Sequence, residues 1–162
     1  MTELNDIYRM LDSRSEQEEQ LYGIALAQKI EDLSVLILPF ANGESKGLWE
    51  NCAKALCALS DERLEKYLPA IFEWLQDLTW PGSLIILERL KNFSGQKMKT
   101  PFIERFSYVS SLKSEEGLIW MDYLSELLDN EELRALLPKF VLDKLYLHYK
   151  NWGFWDSDPS NC

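Results

Sequence analysis

Four of the chain's six prolines recur at a nearly regular spacing along the sequence. They are Pro39, Pro69, Pro101 and Pro138, separated by 30, 32 and 37 residues. Repeats of this length, each holding a pair of helices, are typical of α-solenoids, in which every unit packs only against its neighbours. The proline spacing therefore predicts an all-α fold, arranged as a short α-solenoid of stacked antiparallel helix pairs.

Two of the proline sites extend into a longer internal match. Residues 61–69 align without gaps with residues 130–138. In each segment an Asp or Asn comes first, acids follow in the next turn, and leucines stand three and seven positions later. This order is typical of a helix start, because the first side chain accepts backbone amide hydrogens and the acids interact favourably with the helix dipole. The proline that ends each segment then either opens a second helix or kinks the first.

Between the prolines, apolar residues recur with helical spacing, and no run alternates with the period of a strand. Polar loops are predicted at residues 41–47 and 94–100, with a new helix beginning at Thr100 and Pro101. We expect one helical-repeat domain over residues 1–150. The predicted buried stripes comprise Leu48, Cys52, Leu56 and Leu59; Leu68, Ile71, Phe72, Leu75 and Leu78; Ile86, Leu90 and Phe93; Trp120, Leu124, Leu127 and Leu128; and Val141, Leu145 and Tyr149.

The charge balance limits the kinds of partner that suit this chain. Acidic residues number 27 against 17 lysines and arginines, which gives a formal net charge of -10. A chain with this balance repels phosphate backbones, so we expect no nucleic-acid binding. The acidic excess favours a basic protein partner, or it serves solubility alone.

The sequence favours a cytoplasmic protein. Its first residues lack the basic start and apolar run of a signal peptide, and its longest apolar stretch, residues 35–38, is far too short to span a membrane. The three cysteines, Cys52, Cys57 and Cys162, show no metal-binding spacing and fit a reducing compartment. We expect no membrane association and no cofactor.

The sequence offers little catalytic equipment. The only histidine, His148, continues the apolar stripe of Val141 and Leu145, which favours a hydrogen-bonded structural residue over a catalytic one. Cys52 and Cys57 lie among alanines and are predicted to be small packing residues. Neither G-x-x-x-x-G-K nor G-x-G-x-x-G occurs, so no phosphate-binding loop is expected. We predict that the chain is not an enzyme, and a small enzyme using His148 is the least favoured alternative.

Charge is distributed unevenly along the chain. Residues 89–113 carry six basic residues and one acid, whereas residues 115–143 carry eight acids and two basic residues. The acidic stretch is either an ordinary solvated helix face or a docking surface for a basic partner, such as the cationic groove of a nuclease toxin. Its candidate partner-binding residues are Glu115, Glu116, Asp122, Glu126 and Asp129.

The tail predicted at residues 151–162 concentrates aromatic side chains outside any helical pattern. It contains Trp152, Phe154 and Trp155 next to Asp156. The aromatic side chains either cover the exposed face of the last helix pair or anchor a partner, since tryptophan is common among interface hot spots. Trp152, Trp155 and Asp156 are therefore further candidate partner-binding residues.

Residues 68–81, Leu-Pro-Ala-Ile-Phe-Glu-Trp-Leu-Gln-Asp-Leu-Thr-Trp-Pro, resemble a HEAT-type repeat unit, with a Leu-Pro-led helix, an Asp-containing turn and a second helix. The Trp-Leu-Gln-Asp-x-x-Trp-Pro core is also similar to a family of small bacterial proteins of unassigned function. Proteins of that kind occur among the immunity proteins of polymorphic toxin and contact-dependent inhibition systems. The resemblance covers residues 60–93, and the rest of the chain shares only the proline period.

The resemblance implies a protein-binding inhibitor that neutralises a cognate bacterial toxin by occluding its active site. A general helical-repeat scaffold or adaptor is the alternative. The motif also has local physical roles. We expect Asp77 to accept hydrogen bonds from turn amides and Pro81 to begin the next helix. Trp74 and Trp80 are expected to fill the space between helices.

Overall fold

The computed structural model of the chain describes residues 2–39 and 45–152, with side chains as far as residue 148. Every regular element in this part is an α-helix or a short 3₁₀ helix, which confirms the all-α prediction. The α-helices are α1 (Leu4–Leu11), α2 (Gln17–Ala27), α3 (Trp49–Cys57), α4 (Asp61–Leu64), α5 (Leu68–Ile71), α6 (Ser83–Lys91), α7 (Gly95–Ser111), α8 (Glu115–Ser125), α9 (Glu131–Leu136) and α10 (Lys139–Trp152). The 3₁₀ helices are Leu33–Leu36, Lys46–Leu48, Glu65–Tyr67, Phe72–Gln76 and Glu126–Asp129.

The predicted apolar stripes form the core. Leu78 is only partly buried, and Tyr149 lies beyond the described side chains. Every other residue of the five stripes is buried. Across the described ranges, each helix is too short or too polar to cross a lipid bilayer.

Three of the four recurring prolines, Pro69, Pro101 and Pro138, take different positions relative to the helices. Pro69 occupies the first turn of α5, so it opens a helix, as one of the two predicted alternatives requires. Pro138 directly precedes α10, and its carbonyl oxygen accepts the amide hydrogen of Val141 at 3.0 Å. Pro101 lies inside α7, between residues that are fully buried on either side, Met98 and Phe102.

The predicted loop at residues 94–100 and helix start at Thr100 are therefore wrong. Helix α7 begins at Gly95, and the Ser94 hydroxyl caps it by accepting the Lys97 amide hydrogen at 3.3 Å. The Glu132 carboxylate also accepts the amide hydrogens of Gly95 and Gln96, so the first turn of the helix is capped well upstream of Pro101. Most of the other predicted loop, residues 41–47, lies outside the described residues.

Helix α7 runs alongside residues 61–76 in the same direction. The Nζ of Lys97 lies 2.9 Å from Glu65, and eight residues later Arg105 lies 2.8 Å from Glu73. Arg105 also donates to the carbonyl oxygen of Pro69 at 2.8 Å. The paired residues are 32 positions apart, which is also the distance in sequence between Pro69 and Pro101.

Three tryptophans pack together around the turn that resembles a HEAT unit. Trp74 is fully buried and packs edge to face on Trp49, with their ring centroids 6.3 Å apart. Trp49 packs in the same way on Trp80, with their ring centroids 5.4 Å apart. These contacts confirm that Trp74 and Trp80 fill the space between helices. Such edge-to-face pairs add to the stabilisation that burial alone provides.

The turn after Trp74 is closed by polar side chains. The Asp77 carboxylate accepts the Thr79 amide hydrogen at 2.8 Å, which confirms its predicted role. Hydrogen bonds from the Thr79 side chain and backbone lower the pKa of Asp77. The prediction for Pro81 is wrong, because α6 begins two residues later at Ser83, after Gly82 with a left-handed φ of 84°.

Candidate functional site

Two acids of the predicted acidic stretch, Glu126 and Asp129, join Glu88 of α6 in a cluster of three carboxylates around one ammonium group. The Nζ of Lys91 lies 3.0 Å from Asp129 and 3.7 Å from Glu126. It also lies 3.6 Å from Glu88, one helical turn away on α6. We call these four residues the Lys91 carboxylate cluster. One positive and three negative charges leave it with a net charge of -2.

The carboxylates of the cluster face solvent and the lysine lies beneath them. The Lys91 side chain is 19% exposed, whereas those of Glu88, Glu126 and Asp129 are 69%, 42% and 60% exposed. Partial burial alone would lower the pKa of Lys91, but its hydrogen bond with Asp129 and the three negative charges outweigh that effect and raise the pKa. The lysine therefore stays protonated and holds the carboxylates together.

A buried asparagine fixes the two sides of the cluster relative to each other. The Asn130 side chain donates to the carbonyl oxygens of Leu90 at 3.2 Å and Phe93 at 2.8 Å. Its own oxygen accepts the Leu133 amide hydrogen at 2.9 Å and so caps α9. These bonds tie residues 126–129, which carry two of the carboxylates, to the end of α6, which carries the lysine.

The remaining predicted carboxylates are not part of this cluster. Glu115 and Glu116 are exposed in the first turn of α8, which Ser114 caps by accepting the Gly117 amide hydrogen. Helix α8 has 11 residues and so a length of about 16 Å, which separates them from Glu126 at its other end. The structure therefore brings together Glu126 and Asp129 but not Glu115 and Glu116.

Asp122 faces the protein interior rather than a partner. Its carboxylate lies 3.0 Å from the Nε2 of His148 on α10, and the two side chains are only 19% and 11% exposed. This pair joins α10 to α8. Of the other candidates, the Trp152 side chain, Trp155 and Asp156 lie outside the described residues.

His148 lines a small cavity of about 110 Å³ between α7, α8 and α10. Ser110 lines the same cavity, and its hydroxyl is buried without a hydrogen-bond partner, so it is not hydrogen-bonded to His148. A serine nucleophile needs such a bond to an adjacent base for activation.

Over residues 2–39 and 45–152, no group of three or more His, Cys, Asp or Glu side chains is placed to hold a metal ion.

The cations of the basic stretch at residues 89–113 are largely occupied by internal ion pairs. The pairs are Arg89 with Asp61 at 2.5 Å, Lys97 with Glu65 at 2.9 Å and Arg105 with Glu73 at 2.8 Å. Lys91 belongs to the carboxylate cluster. The stretch therefore contributes much less positive surface than its sequence suggests. The sequence did not indicate the cluster, because Lys91 was counted in that basic stretch and Glu88 lies outside both charged stretches. The only local signal for the cluster was the Glu-x-x-Lys spacing on α6.

Cys57 is predicted to be unreactive in the folded protein. Burial raises the pKa of its thiol from 9.0 to about 12, although nearby Arg89 acts in the opposite direction. At pH 8 the reactive thiolate is then about one part in ten thousand. Native wild type and Cys57→Ser should release equal amounts of chromophore from a disulfide reagent at pH 8. In denaturant, where the buried Cys52 also reacts in both proteins, the wild type should release one equivalent more than Cys57→Ser. Rapid native reaction of Cys57 would contradict this burial.

Comparisons with protein-family models, curated proteins and solved structures find no match to this chain.

Proposed function

We propose that this chain is a cytoplasmic protein-binding inhibitor, an immunity-type protein that neutralises a basic toxin by occluding its active site. The Lys91 carboxylate cluster carries this proposal, because it presents three solvent-facing carboxylates that a single lysine holds together. Held in place before binding, the carboxylates lose little conformational freedom when they meet a partner. A nuclease-like toxin fits this surface because such enzymes bind phosphates through clustered cations.

The charge balance supports a basic partner. Acids exceed lysines and arginines by 10 over the whole sequence, so the protein carries a net negative charge. Among the described residues, Glu115, Glu116 and Glu104 are exposed and belong to no ion pair there. A field of this sign accelerates association with a cationic partner and makes the rate sensitive to salt.

We further propose that the helices form a short HEAT-like solenoid, which would supply a rigid support for the cluster. Residues 61–76 lie beside α7 through contacts 32 positions apart, as described above. The first amides of α7 in turn bind α9, since Glu132 accepts the amide hydrogens of Gly95 at 3.1 Å and Gln96 at 3.2 Å. Gly95 and Glu132 are 37 positions apart, which matches the separation of Pro101 and Pro138. Contacts at successive repeat distances are what stacked units require.

Charge reversal within the cluster tests the proposal. Partners of the tagged protein are captured from its native lysate at low salt, identified by mass spectrometry and purified for affinity measurements. We expect a basic partner, released by salt, and about 100-fold weaker binding by the Glu88→Lys/Glu126→Lys variant, because each reversal replaces attraction by repulsion. This variant leaves Asp122, with its internal bond to His148, intact.

The matched control is Glu18→Lys/Glu104→Lys, which makes the same change in net charge at exposed positions on α2 and α7. It should bind within a few-fold of wild type. If both double variants lost affinity for the partner equally, the cluster would not be the docking surface. The same holds if the cluster variant bound the partner normally and still protected cells from it.

A general scaffold that assembles cellular partners is the second candidate, since the same acidic surface suits it. The toxicity of the captured protein distinguishes the two proposed functions. Expressed alone, a toxin should arrest growth, and co-expression of this chain should restore it. A partner without toxicity would favour the scaffold.

A further inference from the structure

We propose that Trp49 and Trp80 form a binding site for a quaternary ammonium group, which the chain's own Lys46 fills when no ligand is bound. Trp49 opens α3, and Trp80 lies in the turn before α6. Their rings stand nearly perpendicular, at 80°, with centroids 5.4 Å apart. Trp80 is partly exposed, which gives solvent access to the site. We call these two residues the Trp49–Trp80 site. It is separate from the Lys91 carboxylate cluster, and the inference does not depend on the proposed function.

The site already holds a cation. The Nζ of Lys46 lies 5.5 Å from the centroid of the Trp49 ring and 5.8 Å from that of the Trp80 ring. Both distances are within the range of about 6 Å over which the face of an aromatic ring attracts a positive charge. The ammonium group of Lys46 stands in for the nitrogen of the ligand. The occupant therefore identifies the chemistry of the site as a cation beside two indole rings.

Lys46 is not fixed in the site, so a ligand can displace it. Its side chain is exposed, and among the described residues its ammonium group forms no ion pair or hydrogen bond. Arg105 also lies over two rings, those of Tyr108 and Trp120. The Arg105 side chain, however, is only 15% exposed and is fixed by an ion pair with Glu73 at 2.8 Å. Of these two sites, the one that Lys46 fills is the one that can exchange its cation.

The distances favour a methylated nitrogen over a primary ammonium group. A methyl carbon directed at the Trp49 ring from the position of the Lys46 Nζ would lie about 4.0 Å from the ring centroid, since a carbon–nitrogen bond is about 1.5 Å long. The optimal separation of two carbon atoms in contact is about 3.5–4.0 Å. A primary ammonium group is also strongly hydrated and needs acceptors for its protons, whereas a quaternary nitrogen has no protons to satisfy. A trimethylammonium group therefore suits the site better than the lysine that fills it.

Asp77 supplies negative charge near the site. Its carboxylate accepts the amide hydrogen of Thr79 at 2.8 Å and the hydroxyl hydrogen of the same residue at 2.7 Å. These bonds, and to a smaller extent the charge of Lys46, lower the pKa of Asp77, so it is ionised at neutral pH. When Lys46 is displaced, Asp77 remains to attract the incoming cation.

Two other acids close to the site are already compensated. Glu50 follows Trp49 in α3 and pairs with Lys54 at 2.7 Å. Asp12 lies beside Gly47 and pairs with Arg14 at 2.7 Å. These pairs add no net charge, so we expect Lys46 itself to be the main competitor of a cationic ligand.

Titration of the full chain with choline, a trimethylammonium compound, tests the inference. Nuclear magnetic resonance of the indole N–H groups follows binding, because the six tryptophans give separate signals. We expect the signals of Trp49 and Trp80 to shift most, at millimolar choline. The neutral analogue 3,3-dimethyl-1-butanol, in which carbon replaces the charged nitrogen, should bind at least tenfold more weakly.

The decisive variant is Lys46→Gln, which removes the competing cation at an exposed position and should bind choline about tenfold more tightly. Its matched control is Lys66→Gln, with the same change in net charge at an exposed lysine that lies over the single ring of Tyr67. Trp80→Leu removes one ring of the site and should weaken binding at least tenfold. Its control, Tyr108→Leu, removes a ring from the site that Arg105 fills. Both controls should bind like wild type.

Three results would overturn the proposal. They are no choline binding by Lys46→Gln, an equal gain in Lys66→Gln, which would indicate net charge alone, and equal affinity for choline and its neutral analogue. A peptide with one trimethyllysine distinguishes two sources of the same group. Tighter binding of the peptide than of choline would indicate a modified protein, and weaker binding a free small molecule, and either result supports the site. Circular dichroism confirms that each variant is folded before binding is measured.

Discussion

Replacing Trp74 with alanine is expected to lower the free energy of unfolding by about 3–5 kcal/mol. The side chain is fully buried and packs edge to face on Trp49 at 6.3 Å. Its Nε1 donates to the carbonyl oxygen of Pro81 at 3.0 Å. Alanine would leave a large cavity and an unpaired carbonyl group, and each of these is unfavourable in a protein interior.

Urea denaturation followed by circular dichroism measures this effect. With a slope of about 2 kcal/mol per molar urea, the midpoint should fall by about 2 M. Trp74→Phe keeps an aromatic ring and should lose distinctly less than alanine. Tyr22→Ala, at a tyrosine 58% exposed on α2, is the surface control and should change stability by about 0.5 kcal/mol or less. A Trp74→Ala loss as small as the control's would mean that Trp74 is not buried as described.

The sequence predicted the helical class and most of the core because helical periodicity is local. It also predicted that Asn130 opens a helix, and the side chain does cap α9. Its aligned counterpart, Asp61, does not cap its own helix. Its carboxylate instead accepts the Ser94 amide hydrogen at 2.8 Å and pairs with Arg89 at 2.5 Å. The two segments match in sequence, but tertiary contacts decide which amides their first side chains bind.

The candidate site was predicted in part for the same reason. Glu126 and Asp129 were found because an excess of acids is visible in one stretch of chain. Lys91, which holds them, comes from a helix 35 or more residues earlier, so no local pattern could place it there. Asp122 has the same composition around it, yet His148, 26 residues later, turns it inward. Local charge identifies candidate carboxylates, and only the fold separates those that face solvent from those that are turned inward.

Gly95→Ala is expected to lower the free energy of unfolding by about 3 kcal/mol, at the upper end of the usual effect of overpacking. A Cβ at this position would lie 2.6 Å from the carbonyl carbon of Glu132, and closer still to the backbone nitrogen of Leu133. Because these are backbone atoms of α9, no side-chain rotation relieves the clash. Moving α7 away would also weaken the two hydrogen bonds that the Glu132 carboxylate accepts from its first amides.

Thermal unfolding gives the readout, and the melting temperature should fall by about 6–12 °C. Gly47→Ala is the matched control, since its Cβ would meet its nearest atoms at 3.4 Å, an ordinary contact distance, and it should unfold close to wild type. The comparison bears directly on the proposed stacking. If Gly95→Ala is as stable as Gly47→Ala, α7 and α9 do not approach at the 37-residue distance, and the solenoid proposal loses one of its two observed repeat contacts. A large and selective loss would support the close approach of α7 and α9 at Gly95, which the proposed solenoid requires.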